Sequence, residues 1–238
     1  MLLTQATPYV FATPAIQRQH KGSLTAQEVA AKALRSVVLI KCTNGSGEER
    51  IASGFFVTPT IIATNYHVVE GMLAGVVQLT NGPGKGEKVL IKAILEGSKK
   101  FDVVLLHVPT AASRGKPLQV ASDIDRLKIG ETIYALGNPE GLTATISTGI
   151  VSAIRVWEDG ALIQITAPIS AGSSGGPVID AHGRVVGMVS SSLPQGQNLN
   201  FAVPSPFIGA ALRLKNRALA QSESLAQSPS GEWLWLMK

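Results

Sequence analysis

SVVLIKCTNGSGEERIASGFFVTPTIIAT, residues 36–64, holds three short runs rich in β-branched and apolar residues, Ser36–Cys42, Ile51–Val57 and Thr60–Thr64. Runs of this length and composition read as strands, and Asn44-Gly45 marks a turn between the first two. The pattern continues outward. Val76–Thr80, Lys88–Leu95 and Asp102–Val108 read as further strands, with a turn at Asn81-Gly82-Pro83-Gly84. Pro109 to Ile129 has fewer β runs and reads as a linker. A second set follows it: Glu131–Gly137, Thr145–Val156, Leu162–Thr166, Pro177–Asp180, Arg184–Ser190 and Asn200–Val203. Two successive sets of closely spaced strands without intervening helices predict an all-β protein of antiparallel sheets or barrels, not βαβ units.

Helices are expected only at the ends. Thr25–Arg35 has helix formers behind Thr25, with Glu28 at the capping-box spacing. Pro206 to about Ser222 reads as a closing helix, partly apolar through Leu212, Leu214 and Leu219. The expected organisation is an N-terminal arm at 1–27, a strand-rich unit at 28–125, a second at 126–205, and a helix and tail at 206–238. The tail from Gln221 to Lys238 reads as polar and loose despite Trp233 and Trp235.

Composition narrows the classes. Of 238 residues 45% are hydrophobic and 16% charged, which excludes a disordered chain. No uncharged apolar run reaches the roughly 18 residues needed to span a bilayer. The single cysteine, Cys42, cannot form an intramolecular disulfide and rules out a multi-thiolate zinc site, leaving the compartment open. A net charge of +5 invites a nucleic-acid reading. The basic residues are scattered, however, and the local cluster Arg213, Lys215 and Arg217 has no interleaved aromatics, so a solvated helix face is expected and no nucleic-acid partner. His20, His107 and His182 lack partners at metal-ligand spacing, and no metal or organic cofactor is expected. The N-terminus does not read as a secretory signal: the first basic residue is Arg18, and Pro8 and Pro14 interrupt the apolar stretch. The expectation is a cytoplasmic protein or a start that has lost an export signal.

Three segments carry chemistry. Thr64-Asn65-Tyr66-His67-Val68-Val69-Glu70-Gly71 puts a histidine directly after a β run. Phe101-Asp102-Val103-Val104-Leu105-Leu106 puts an acid at the head of an apolar strand. Gly172-Ser173-Ser174-Gly175-Gly176-Pro177 puts a serine between glycines. Each alone has a plain reading, as a core histidine, a hairpin start or a loop. Their order, His then Asp then Ser, is one of the known orders of a nucleophilic triad. A serine hydroxyl is a weak nucleophile until an imidazole can take its proton, and a carboxylate fixes that imidazole's tautomer. A developing oxyanion needs two inward backbone N–H groups, which Gly172 and Ser174 would supply from a tight turn. With His67 and Asp102 in the first unit and Ser174 in the second, the site is expected in the cleft between them.

TNYHVVEG, FDVVLLHV and GSSGGPV resemble the three catalytic blocks of trypsin-like serine proteases, especially the bacterial HtrA/DegP branch. Asn198-Leu199-Asn200-Phe201-Ala202-Val203-Pro204 is similar to the strand and proline that end that family's protease domain, and Thr148-Gly149-Ile150-Val151-Ser152 to the segment before its specificity loop. The likeness covers about Val29 to Ala210. It implies a chymotrypsin-like double β-barrel with short N- and C-terminal helices, in which residues 28–125 and 126–205 form the two barrels. It further implies an endopeptidase with His67 as general base, Asp102 as orienting acid and Ser174 as nucleophile, acting on polypeptides, unfolded or damaged ones in particular. Pro168, Ile169 and Ser170 would wall the specificity pocket, and Ser190, Ser191 and Ser192 would pair with an extended substrate backbone. No carboxylate lies between Leu162 and Val178, so a small or aliphatic side chain is expected before the cut. The resemblance also implies a homotrimer held by an N-terminal arm, with Tyr9 and Phe11 in that role, and leans toward an extracytoplasmic setting.

The chain departs from the pattern in two places. Ser173 stands where this branch usually has Asn and digestive enzymes have Asp, so activation by a newly cut N-terminus is not expected. A short helix and tail stand where a PDZ domain usually follows, leaving peptide-gated regulation without support. The alternative from another class is a catalytically silent protease-fold binding or chaperone-like module. A close enzyme rival is an esterase with little peptidase activity.

Overall fold

Alternation within the strands decides how the chain packs. The computed structural model describes residues 22–109, 115–157, 160–192 and 199–226. After helix α1 (Ala26–Ala33) come β1 (Val37–Asn44), β2 (Glu49–Thr58), β3 (Ile61–Thr64), the one-turn helix α2 (Tyr66–Val69), β4 (Met72–Leu79), β5 (Lys88–Leu90), β6 (Ala93–Ser98) and β7 (Val103–His107). The second half holds β8 (Thr132–Gly137), β9 (Thr145–Trp157), β10 (Gly160–Ile165), β11 (Pro177–Asp180), β12 (Val185–Ser192) and β13 (Asn200–Pro204), closed by α3 (Ser205–Ala226). The first set forms a seven-stranded sheet in the order β5-β4-β1-β2-β3-β7-β6, and the second a closed barrel, β10-β13-β12-β11-β8-β9. The first sheet is rolled, because the chain leaving β5 bonds to β4 near one end of it and to β7 near the other. Ile91 N–H donates to the Gly75 carbonyl at 3.0 Å and Lys92 N–H to the His107 carbonyl at 2.9 Å.

Successive side chains on a strand face opposite sides. Val38, Ile40, Phe56, Ile62, Val104 and Leu106 therefore fill the first barrel, while their neighbours Val37, Phe55, Ile61, Val103 and Leu105 face the second unit. There they meet Tyr134, Leu136, Ile179, Val185 and Met188, together with Val29 of α1 and Ile208 of α3. Ile133, Val151, Ile163, Ile165, Val178 and Ala202 fill the second barrel. β7 is apolar at every position from Val103 to Leu106 because both of its faces are buried. Cys42 lies in the first core, and burial pushes its thiol up to about 11, as suits a small hydrophobe.

The predicted α1 cap is present: Glu28 N–H donates to Thr25 Oγ1 at 3.2 Å and Thr25 N–H to Glu28 Oε2 at 2.7 Å. Such a cap contributes about 1 kcal/mol. Three local expectations are corrected. Lys88–Leu95 is two strands, because the chain changes partner from β4 to β7 at Ile91 and Lys92. The segment after β3 turns once as α2 before the chain re-enters the sheet. The C-terminal helix is not short: it runs to Ala226, since 221–226 contains neither Gly nor Pro to stop it, and this part of the expected loose tail is helical. No helix among the described residues is long and apolar enough to cross a membrane.

Candidate active site

β3 ends at Thr64, and α2 follows it and carries His67, which is exposed. Two ties hold this turn. Arg50 of β2 donates from Nη1 to the carbonyls of His67 and Glu70, at 2.9 and 3.0 Å. Glu70, just beyond α2, pairs with Lys99 in the β6–β7 turn, which lowers the Glu70 pKa and raises that of Lys99. That same turn delivers Asp102, whose φ of 51° is left-handed.

His67 and Asp102 meet squarely. Nδ1 of His67 lies 3.0 and 2.9 Å from Asp102 Oδ1 and Oδ2, and the His67 backbone N–H donates to Oδ1 at 3.0 Å. Ser190 of β12 donates its hydroxyl to Oδ2 at 2.9 Å, and Asn65 Nδ2 donates to the Asp102 carbonyl at 3.0 Å. Burial alone would raise the Asp102 pKa. The bonds from the His67 ring and backbone, the His67 charge and the Ser190 hydroxyl outweigh it and hold the carboxyl below its usual range. With the proton of neutral imidazole on Nδ1, facing the acid, Nε2 is the free acceptor.

Ser174 sits on the opposite wall. Its hydroxyl donates to the Ser190 carbonyl at 2.9 Å, and among the described residues no hydrogen bond joins it to His67. Ser190 thus touches the acid through its side chain and the serine through its backbone. Ser191 and Ser192 continue β12 in register with Phe201 and Asn200 of β13.

The turn carrying Ser174 is braced from both barrels. Ser53 of β2, fully buried, donates its hydroxyl to the Gly172 carbonyl at 2.7 Å and its N–H to the Ser174 carbonyl at 2.8 Å. Asn138 N–H donates to that Ser53 hydroxyl at 2.8 Å, while Asn138 Nδ2 reaches the Val38 carbonyl at 2.8 Å. The Ala171 carbonyl accepts from Glu140 N–H at 2.6 Å. In a trans peptide the C=O and N–H point opposite ways, so this bond turns Gly172 N–H away from Glu140. Among the described residues neither Gly172 N–H nor Ser174 N–H meets an intramolecular acceptor. Glycine is required here: at Gly172 φ is +88° and a Cβ would lie 2.7 Å from the Asn138 carbonyl oxygen, and at Gly175 φ is +84° and a Cβ would lie 2.0 Å from the Ser53 oxygen. Ser173 turns inward and its Oγ accepts from Ser170 N–H at 3.2 Å.

Pro168, Ile169 and Ser170 wall a cavity of about 250 Å³ together with Ala135, Gly137, Thr145, Ser147 and Val189. None of its lining residues is ionisable. Tyr9 and Phe11 lie outside the described residues. Sequence reasoning missed Ser53, Asn138 and Arg50 as braces of the site. The available signal was a polar residue at an inward position of an apolar strand, as with Ser53 between Ala52 and Phe55.

Two rolled antiparallel β units, with a His–Asp pair on one and a glycine-flanked serine turn on the other, define the chymotrypsin-like architecture. The family described as trypsin-like peptidase domain matches residues 52–188, more than half of the chain, and the chain belongs to that family. The "Probable periplasmic serine endoprotease DegP-like" of Chlamydia pneumoniae is 33% identical over 165 residues, covering 64% of this chain and 32% of that protein. Among solved structures, the Rv3671c protease from M. tuberculosis in its active form aligns with a TM-score of 0.70 at 23% identity, covering 88% of this chain and 93% of that one. The HtrA-type protease AlgW with tripeptide aligns with a TM-score of 0.68 at 23% identity, covering 82% and 63%. These two likenesses are of fold. The chain spans about a third of the length of the curated relatives it matches, 38% and 32% of the first two.

Proposed function

We propose that this chain is a serine endopeptidase of HtrA/DegP type that hydrolyses peptide bonds through an acyl-enzyme. The observation that carries the reading is the double engagement of Ser190, which bonds Asp102 on one barrel and Ser174 on the other. The substrate is an extended polypeptide that adds a strand along Ser190–Ser192. Its backbone N–H takes the Ser190 carbonyl, and the displaced Ser174 hydroxyl turns to His67 Nε2. His67 accepts the proton as Ser174 Oγ attacks the peptide carbonyl, and Asp102 stabilises the imidazolium that forms. Gly172 and Ser174 N–H groups bind the oxyanion. Collapse of the tetrahedral intermediate breaks the C–N bond, with the His67 proton going to the leaving amine. Water, deprotonated by His67, then hydrolyses the acyl-serine. The side chain before the cut enters the apolar cavity walled by Pro168, Ile169 and Ser170. Unfolded or damaged proteins fit as substrates because only an extended backbone can pair with an edge. The name of the Chlamydia relative supports an extracytoplasmic setting.

Labelling by a fluorophosphonate tests the reading. Rapid modification of Ser174, absent from Ser174→Ala, is expected, together with a loss of peptidase turnover on the order of 10⁶ in that variant. The resting bond from Ser174 to Ser190 also suits the silent binding module, and for that module neither labelling nor cleavage would be seen.

A further inference from the structure

Asn65 stands two residues before His67, completely buried, at the position that opens α2. Asparagine is favoured there because its side-chain oxygen usually accepts an N–H of the first turn. Here that bond is missing: α2 has no side-chain cap, and among the described residues the buried Asn65 Oδ1 has no hydrogen-bond partner. The amide is turned the other way, with Nδ2 donating to the Asp102 carbonyl at 3.0 Å. Leaving a buried acceptor unpaired is unfavourable, so the orientation reflects a use for the donor.

The conformation of Asp102 identifies that use. A φ of 51° is disfavoured for a residue with a Cβ, although aspartate tolerates it better than most. Asp102 lies just outside β7, whose pairing begins at Val103 with Ser98 and at Val104 with Thr64. No ladder fixes its backbone, which is held on its N–H side by a 3.3 Å bond to the Lys99 carbonyl and on its carbonyl side by Asn65. Relaxation toward an extended φ would swing the carboxylate away from the His67 N–H and Nδ1 that it now holds at 3.0 and 2.9 Å. We propose that Asn65 is a positioning residue for the reaction: by donating to the Asp102 carbonyl it holds the acid in the left-handed turn that aims its carboxylate at His67. The inference rests on the triad reading above.

A capping role and a positioning role separate on one substitution. Aspartate caps a helix as well as asparagine does, but once ionised it has no proton to give the Asp102 carbonyl. Asn65→Asp is therefore expected to lower kcat on the order of 10²-fold, with the low-field proton signal of His67 Nδ1–H lost. Native kcat with that signal intact would overturn the proposal. Asn65→Ala guards against a folding failure of the first variant, measured as the rate of fluorophosphonate labelling at Ser174 in two backgrounds. Labelling should slow about 10²-fold with native Asp102 and by less than about threefold in Asp102→Asn, because the two residues act through one bond. Equal slowing in both backgrounds would show that Asn65 acts on the fold at large. Full activity of Asp102→Asn by itself would overturn the triad, and this proposal with it.

Discussion

Asp102 is the residue whose surroundings are most fully specified. Each of its carboxylate oxygens receives more than one donor: Oδ1 from the His67 backbone and ring, Oδ2 from the ring and Ser190. An amide in its place must set its NH₂ against one of these donors, or turn the imidazole to the wrong tautomer. Asp102→Asn is expected to fold and to lose turnover on the order of 10⁴-fold. Peptidase assays beside thermal melts check it. Full activity at an unchanged melting temperature would show that another acid, such as Asp123 or Asp125, orients His67.

At the scale of elements, the turn between β10 and β11 is held from the first barrel by Ser53 and from the second by Glu140. The Ala171, Gly172 and Ser174 carbonyls are anchored to these two residues, and the Gly172 and Ser174 N–H groups are the proposed oxyanion donors. Gly172→Ala meets a positive φ and the Asn138 carbonyl at 2.7 Å, so the turn must distort where it presents those donors. The expected loss is on the order of 10²–10³ in kcat, the effect of losing one oxyanion donor, with the barrels intact by circular dichroism. An alanine variant at native kcat would remove Gly172 from the oxyanion site.

For the whole molecule, Asp102 links the site to stability because its bonds join elements from both barrels. Its folded-state pKa is lowered, so it contributes stability that is present above its unfolded pKa, roughly 3.9, and is lost as pH falls through the lower folded value. Thermal melts of Ser174→Ala from about pH 2 to 6 should fall steeply below the ordinary carboxylate range. The double variant with Asp102→Asn should fall less steeply, and parallel curves would deny the linkage. The cavity beside Ile169 makes the other whole-molecule prediction. A Lys or Arg side chain entering it would lose hydration without a counter-charge, at a cost of several kcal/mol, whereas each methylene of an aliphatic guest gains about 0.8 kcal/mol. Profiling a mixed peptide library should show Val or Ala before the cut. A dominance of Lys or Arg there would place the specificity pocket elsewhere.

Sequence by itself determined the features that depend on local chemistry and period. The β-branched runs, the turn residues between them and the Thr25–Glu28 cap are legible because each is set by residues within a few positions of one another. The segments around His67, Asp102 and Ser174 are legible for a related reason: each pairs a reactive side chain with a local context that its chemistry needs. Tertiary structure decided what depends on partners far along the chain. Ser53 reaches Gly172 across 119 positions and Ser190 reaches Asp102 across 88, and no spacing rule marks either. The break at Ile91 and Lys92 arises only because β4 and β7 compete for one continuous β run. The side-chain direction of Asn65, away from the helix it opens and toward the Asp102 carbonyl, exists only once the β6–β7 turn is folded against it. A strand or a cap forms from its own residues, whereas the geometry of the candidate site is the meeting of groups whose positions are fixed by a rolled sheet and a closed barrel.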